Sequence, residues 1–217
     1  MKRKGWICLA ACLLALLLTA CGQTAVEYPE LAEIDLESME LSSQENSLVR
    51  VSYDPENWVP QPMTDPMMLA YAPTVEEEFG VNLTVTYTGE SSKKPDEAFM
   101  KELAEEMERI NGDFMTLELS EMRQVQGNPV VYLDSAFVLN DAAIDNMIAE
   151  GEWSEEWLDS LGGRDAIRGI TCRTVNVYAC VEKRAYVYTG SYYDDVQKES
   201  LLAALATAIA TTEWVGP

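Results

Sequence analysis

Two tight turns between long strand-like segments place the strongest constraint on the fold of this chain. Gln126-Gly127-Asn128 separates one pair of segments, and Glu182-Lys183 separates the other. Strands joined by so few residues pair antiparallel. The four predicted strands span residues 114–124, 129–139, 166–181 and 184–189. The sequence therefore predicts an antiparallel sheet built from hairpins.

Three further strands and two long helices complete the predicted fold. The strands are expected over residues 48–53, 67–72 and 81–88, where apolar and polar residues alternate or a short apolar run ends at a proline. The helices are expected over residues 95–110 and 194–212, and their apolar stripes must cover the sheet. The predicted class is α+β: an antiparallel sheet of about six to seven strands covered by two long amphipathic helices, an α/β/α sandwich.

The last helix and a helical insert have recognisable local signals. Residues 140–163 interrupt the strand pattern and predict two short helices, capped by Asn140 and Ser154 and stopped by glycines. The buried face of the last helix is expected to consist of Val196, Leu201, Leu205, Ala208 and Ile209.

The N-terminus carries a short positive segment, Lys2-Arg3-Lys4, followed by an apolar run from Trp6 to Leu18. The run is shorter than the roughly 20 residues that a membrane-spanning helix needs, and it fits a cleavable export signal. Leu18-Thr19-Ala20-Cys21 resembles the lipobox of bacterial lipoproteins. The resemblance implies removal of residues 1–20 and attachment of lipid to Cys21. A plain secretory signal or an uncleaved helix is the alternative.

These features divide the chain into three parts. Residues 1–20 are the expected signal peptide, residues 21–47 a lipid anchor with an acidic flexible tether, and residues 48–217 a single globular α+β domain. Lipid on Cys21 would hold the domain at the outer face of the cell membrane, or at the outer membrane if the host has two membranes. The expected location is therefore extracytoplasmic.

Charge and histidine content exclude several function classes. Loss of the three basic residues of the signal leaves 12 of the 15 Lys and Arg against 37 Asp and Glu, a net charge of −25. Such a surface repels nucleic acid, which we exclude as a partner. The chain has no histidine, which rules out Ser-His-Asp and Cys-His catalysis and His-ligated zinc. No catalytic residue, metal site or cofactor is predicted.

Two cysteines, Cys172 and Cys180, remain besides Cys21 after the signal is removed. If residues 170–181 form one strand, the two are roughly 26 Å apart. A disulfide needs Cα atoms within about 7 Å, so geometry argues against this pairing unless the chain reverses tightly near Val175–Val177.

Four aromatic residues form the candidate site for a partner or ligand. Trp153 and Trp157 are four residues apart in the insert, and Tyr192 and Tyr193 stand before the last helix. An exposed group of such side chains is typical of a binding surface. The alternative is that these aromatics only pack the insert onto the sheet.

Val51–Trp58 is a predicted strand that runs into a proline-containing turn, and Ala185–Thr212 is a predicted strand that feeds the last helix. In these two segments the chain resembles the PsbP-like superfamily, which includes LpqN-type lipoproteins. The resemblance implies a binding or docking module rather than an enzyme. We therefore expect a membrane-anchored, non-enzymatic module that binds an envelope protein or a small ligand. The alternatives are a carboxylate-dependent glycan hydrolase, with two carboxyl groups about 5–10 Å apart in a cleft, and a structural lipoprotein without a specific ligand.

Overall fold

The computed structural model describes residues 27–75, 82–91, 93–112, 115–149, 151 and 153–217. Its largest element is a seven-stranded sheet made of β3 (Trp58–Gln61), β4 (Met68–Pro73), β5 (Asn82–Glu90), β6 (Met115–Val125), β7 (Asn128–Val138), β8 (Thr171–Val181) and β9 (Arg184–Tyr192). The strand order is β3-β4-β5-β9-β8-β7-β6, and all neighbours are antiparallel. The α+β class and the antiparallel sheet are confirmed.

Both predicted hairpins, β6–β7 and β8–β9, are present with two-residue turns. Gln126 and Gly127 have φ angles of 49° and 77°, and Glu182 and Lys183 have φ angles of 50° and 64°. Positive φ at both turn residues matches the right-handed twist of the flanking strands. β8 begins at Thr171 rather than near residue 166, because the preceding residues form a short helix of the insert.

A second, three-stranded sheet consists of β1 (Ser42–Glu45), β2 (Val49–Tyr53) and β10 (Glu213–Trp214), in the order β1-β2-β10. The chain that precedes it is also packed: Leu31 is buried, and its amide donates to the Gln124 carbonyl at 2.8 Å. The expectation of a flexible tether up to residue 47 is therefore wrong for the part that follows Pro29. Its apolar side chains enter the core, and residues 42–45 pair with β2.

Five helices occur in the described part of the chain: α1 (Glu97–Asn111), α2 (Asp141–Ala149), α3 (Glu155–Ser160), α4 (Arg164–Ile167) and α5 (Asp195–Thr211). The two longest, α1 and α5, lie on opposite faces of the main sheet. Val131 and Leu133 of β7 pack with apolar side chains of α1. Val130 and Tyr132, which alternate with them, belong to the cluster that contains α5.

The buried face of α5 agrees with the sequence pattern except at its first turn. Leu201, Leu205, Ala208 and Ile209 are buried, but Val196 is 78% exposed. At 3.6 residues per turn, Val196 points roughly 140° away from Leu201. The expectation that Val196 is buried is therefore wrong.

The approach of α5 to the sheet depends on Gly190 in β9. A Cβ atom at Gly190 would lie 2.4 Å from Cδ1 of Leu201. The absent side chain leaves room for Leu201, which is fully buried. This contact holds α5 close to the centre of the sheet.

Candidate functional site

The insert between β7 and β8 is built from α2, α3 and α4, and side-chain caps begin its first two helices. The Asn140 Oδ1 atom accepts the amide of Ala143 at 2.9 Å, and the Ser154 Oγ atom accepts the amide of Trp157 at 3.1 Å. Such caps satisfy amides that would otherwise have no partner in the first turn. The Ser154 cap also fixes the first turn of α3, from which the indole of Trp157 projects.

The insert has a small core of its own at the end of the main sheet. Its fully or nearly buried members are Leu139, Ile144, Leu158 and Ile167. Trp153 and Cys172 are among the partly buried side chains packed against them. Burial of each large aliphatic side chain contributes about 1.5–3 kcal/mol, so the insert is held to the ends of β7 and β8 by apolar contacts.

Two arginines join the three helices of the insert. Arg164 of α4 contacts Asp145 of α2 at 2.5 Å and Glu155 of α3 at 2.6 Å. The hydrogen bonds to Glu155 and Asp145 hold the pKa of the Arg164 guanidinium above its ordinary value. Arg168 contacts Asp141 at 2.7 Å. Exposed pairs of this kind add little stability individually, but together they fix the relative orientation of the helices.

Trp153 and Trp157 lie together, with ring centroids 5.0 Å apart and tilted ring planes. Trp153 packs against the core of the insert, whereas Trp157 is 38% exposed. Leu161, one turn further on, is 37% exposed. The insert therefore presents an indole and an aliphatic side chain to solvent.

The two tyrosines before α5 have different environments. Tyr192 is fully buried, so the expectation that it belongs to an exposed patch is wrong. Tyr193 is 43% exposed and lies beside Cys172, which packs against the core of the insert. Burial raises the pKa of the Cys172 thiol, and a hydrogen bond with Tyr193 offsets part of that increase. We define the insert surface as Trp157, Leu161 and Tyr193, with Trp153 behind it.

The hydroxyl of Tyr192 enters a buried polar cluster around Asp134, which is 2% exposed. Tyr192 and Tyr132 donate to the Asp134 carboxylate at 2.9 Å and 3.1 Å. Lys198 of α5 donates to the same carboxylate at 2.5 Å. Sequence analysis missed this cluster, although an aspartate within the apolar run of β7 was a signal for it.

The electrostatics of this cluster keep it ion-paired. Burial by itself would lower the pKa of the Lys198 ammonium, but the hydrogen bond to Asp134 and the adjacent tyrosines outweigh it and raise the pKa above its ordinary value. Burial also raises the pKa values of Tyr132 and Tyr192, so both hydroxyls remain donors. The cluster connects the beginning of α5 to β7, close to the insert.

The three cysteines singled out in the sequence do not form a common site. Cys172 and Cys180 are free thiols near opposite ends of β8, and Cys21 lies outside the described residues. Nowhere in the described part of the chain do three or more Cys, Asp or Glu side chains converge as a metal site would require. Within the same residues, no helix has the length and apolar character needed to span a membrane.

A cavity of about 330 Å³ opens beside α1, at the end of the sheet opposite the insert. The side chains that line it include Lys93, Lys94, Phe99, Tyr178 and Cys180, and its described lining contains no carboxylate. A glycan hydrolase needs two carboxyl groups in one cleft. This cavity therefore does not favour the hydrolase alternative.

Comparison with solved structures shows a distant structural similarity. No protein-family profile matches the chain, and no curated protein matches it significantly. Among solved structures, it is similar to the solution structure of cyanobacterial PsbP (CyanoP) from Synechocystis sp. PCC 6803, with a TM-score of 0.47 and 10% identity. The alignment covers 84% of this chain and 97% of that chain.

Proposed function

We propose that this protein is a lipid-anchored, extracytoplasmic docking module whose insert surface binds another protein of the cell envelope. The observation that carries the proposal is the exposure of Trp157, Leu161 and Tyr193 at one end of the domain. Aromatic side chains in this setting are typical anchors of protein interfaces. The proposed module binds its partner and has no catalytic role.

The path of the N-terminal chain supports an outward orientation of the insert surface. Glu30 accepts hydrogen bonds from the side chain of Gln124 at 2.9 Å and from the amide of Gln126 at 3.2 Å. These residues lie at the β6–β7 turn. The β8–β9 turn is at the same end, because Val130 pairs with Ala179. The chain from Cys21 therefore joins the domain at its turn end.

Covalent geometry limits how far this end can lie from the lipid. Glu30, the residue held at the turn end, is nine residues beyond Cys21, and nine residues span at most about 32 Å. β7 has 11 residues and therefore extends for roughly 35 Å from the turn end to the insert. With lipid on Cys21, the turn end would lie within about 32 Å of the lipid. We therefore expect the insert surface, at the other end of β7, to project away from the membrane and to be accessible to a partner.

The test is crosslinking in intact cells, followed by mass spectrometry of the crosslinked proteins. We expect a Trp157→Ala/Leu161→Ala double variant to lose a protein that the wild type crosslinks. Val59→Ala is the matched control, because it removes a 43% exposed apolar side chain from β3, at the edge of the main sheet, and should retain the crosslink. Near-ultraviolet circular dichroism checks that the double variant is folded. A folded double variant that crosslinks the same proteins in the same yield would overturn the docking proposal.

A further inference from the structure

A cavity of about 90 Å³ lies between β2, α5 and the β3–β5 part of the main sheet. Its apolar wall includes Met39, Val51, Tyr53, Trp58, Leu83 and Ala208. Tyr71 of β4 lines the same cavity, and its ring centroid is 5.2 Å from that of Tyr53. The cavity shares no lining residue with the insert surface and is independent of the proposed anchor.

The hydroxyl of Tyr71 is the unusual group in this wall. Tyr71 is 2% exposed, and its hydroxyl has no hydrogen-bond partner among the residues that the structure describes. In contrast, the buried hydroxyl of Tyr188 donates to Thr212 at 2.8 Å. A buried polar group without a partner is costly, so native proteins satisfy nearly all of them. The cavity is the available place for the missing partner.

Two other polar groups of the lining already have partners. Asp54 accepts a hydrogen bond from the side chain of Asn57 at 2.6 Å. The Thr207 hydroxyl donates to the Ala203 carbonyl of its own helix at 2.9 Å. The described lining contains no Lys or Arg, so nothing there would compensate an anion. Among the buried polar atoms of the described lining, the Tyr71 hydroxyl is the one without a partner, so it is the group that would recognise a ligand.

We propose that this cavity binds one end of a small, neutral, largely apolar molecule that carries an oxygen able to accept a hydrogen bond from Tyr71. A cavity of about 150 Å³ holds a benzene ring, so a phenol-sized end requires this cavity of about 90 Å³ to expand by more than half. Met39 lies in the wall, and its unbranched side chain adapts readily to such a change. Burial raises the pKa of Tyr71, with a further contribution from Tyr53, so the hydroxyl keeps its proton to donate.

The test uses the purified full chain, titrated with phenol and separately with benzene. Chemical shifts of the methyl groups of Val51, Leu83 and Ala208 report on occupancy. We expect saturable binding of both probes, with Tyr71→Phe weakening phenol roughly fivefold and leaving benzene unchanged, since one neutral hydrogen bond is lost. The ratio of the two affinities, compared between proteins, cancels any partitioning of the probes into detergent.

Tyr186→Phe is the matched control. Tyr186 is the other buried tyrosine whose hydroxyl lacks a partner among the described residues, and it does not line this cavity. Its substitution should leave the affinities for both probes unchanged, whereas Ala204→Leu should fill the cavity and abolish both. The absence of saturable shifts in the wild type would mean that the cavity holds water only and would overturn the proposal. Equal phenol affinity in the wild type and Tyr71→Phe would also overturn it.

Discussion

The ammonium of Lys198 on the last helix donates to the buried carboxylate of Asp134 on β7, with Nζ and Oδ2 2.5 Å apart. Asp134→Ala removes the acceptor of this cation and of two tyrosine hydroxyls. Breaking a buried ion pair on one side typically costs 3–5 kcal/mol, and the partial exposure of Lys198 favours the lower end, about 3 kcal/mol. Urea denaturation measures the loss.

Asp141→Ala is the matched control, because its pair with Arg168 is solvent-exposed. Its removal should cost less than about 1 kcal/mol. If Asp134→Ala lost no more stability than Asp141→Ala, the cluster around Asp134 would not hold α5 to the sheet.

Stability should fall in alkaline solution. Burial raises the pKa of Tyr186 to about 12. It also raises the pKa values of three other tyrosines, Tyr132, Tyr188 and Tyr192. The pKa of Lys198 is raised mainly by its pairing with Asp134. A group with a raised folded-state pKa contributes its full stability below its unfolded pKa and loses it as the pH rises through the folded-state value. The urea midpoint should therefore fall above about pH 10, where unfolded tyrosine and lysine lose protons. Phenolate absorbance measured in parallel should show these tyrosines ionising together with unfolding; their ionisation in the still-folded protein would contradict this assignment.

Leu31 should behave as a core residue, although it precedes the first strand. Leu31→Ala should cost about 2–4 kcal/mol, because the side chain is 2% exposed. Val196→Ala, at a site that is 78% exposed, should change stability by less than about 0.5 kcal/mol. Hydrogen exchange should also show the amide of Leu31 protected. Fast exchange at this amide would mean that residues 29–31 belong to the flexible tether and not to the folded domain.

Gly190 and Leu201 should be energetically coupled. Gly190→Ala places a methyl group against Leu201 and should cost about 1–3 kcal/mol. In a Leu201→Ala background the same substitution should cost much less, because the clash is gone. A double-mutant cycle measured by urea denaturation gives the coupling, and additive costs would mean that the helix does not depend on this contact.

Local patterns were sufficient to predict the two hairpins and the caps at Asn140 and Ser154. These signals reside within a few residues of each other. Pairing over long separations was not predictable in the same way: Leu31 meets Gln124, and the first predicted strand joins a separate sheet with residues 213–214. The sequence could not identify these pairings, because many other segments of the chain could equally have paired with Gln124 or with the first predicted strand.

The candidate site was predicted only in part, because some of its side chains are placed by contacts between residues far apart in the sequence. The insert followed from helix signals, but these signals did not decide whether Trp153 and Trp157 are exposed or packed onto the sheet. Tyr192 and Tyr193 are adjacent, and a strand directs neighbouring side chains to opposite faces, so only one of them could be exposed. Their assignment depended on Asp134 and Lys198, which are 64 residues apart and meet only in the folded chain.

The most direct test of the proposed anchoring and orientation is energy transfer from a fluorophore on the domain to acceptors in the lipid headgroups. With Cys172 and Cys180 replaced by serine, single cysteines are introduced by Asn128→Cys at the turn end and Asp159→Cys in the insert. In protein purified with its lipid and placed in vesicles, we predict efficient transfer from residue 128, weak transfer from residue 159, and loss of both with Cys21→Ser. Equal transfer from the two sites, or stronger transfer from residue 159, would contradict the proposed orientation. Membrane association that survives Cys21→Ser would contradict the proposed lipid anchor.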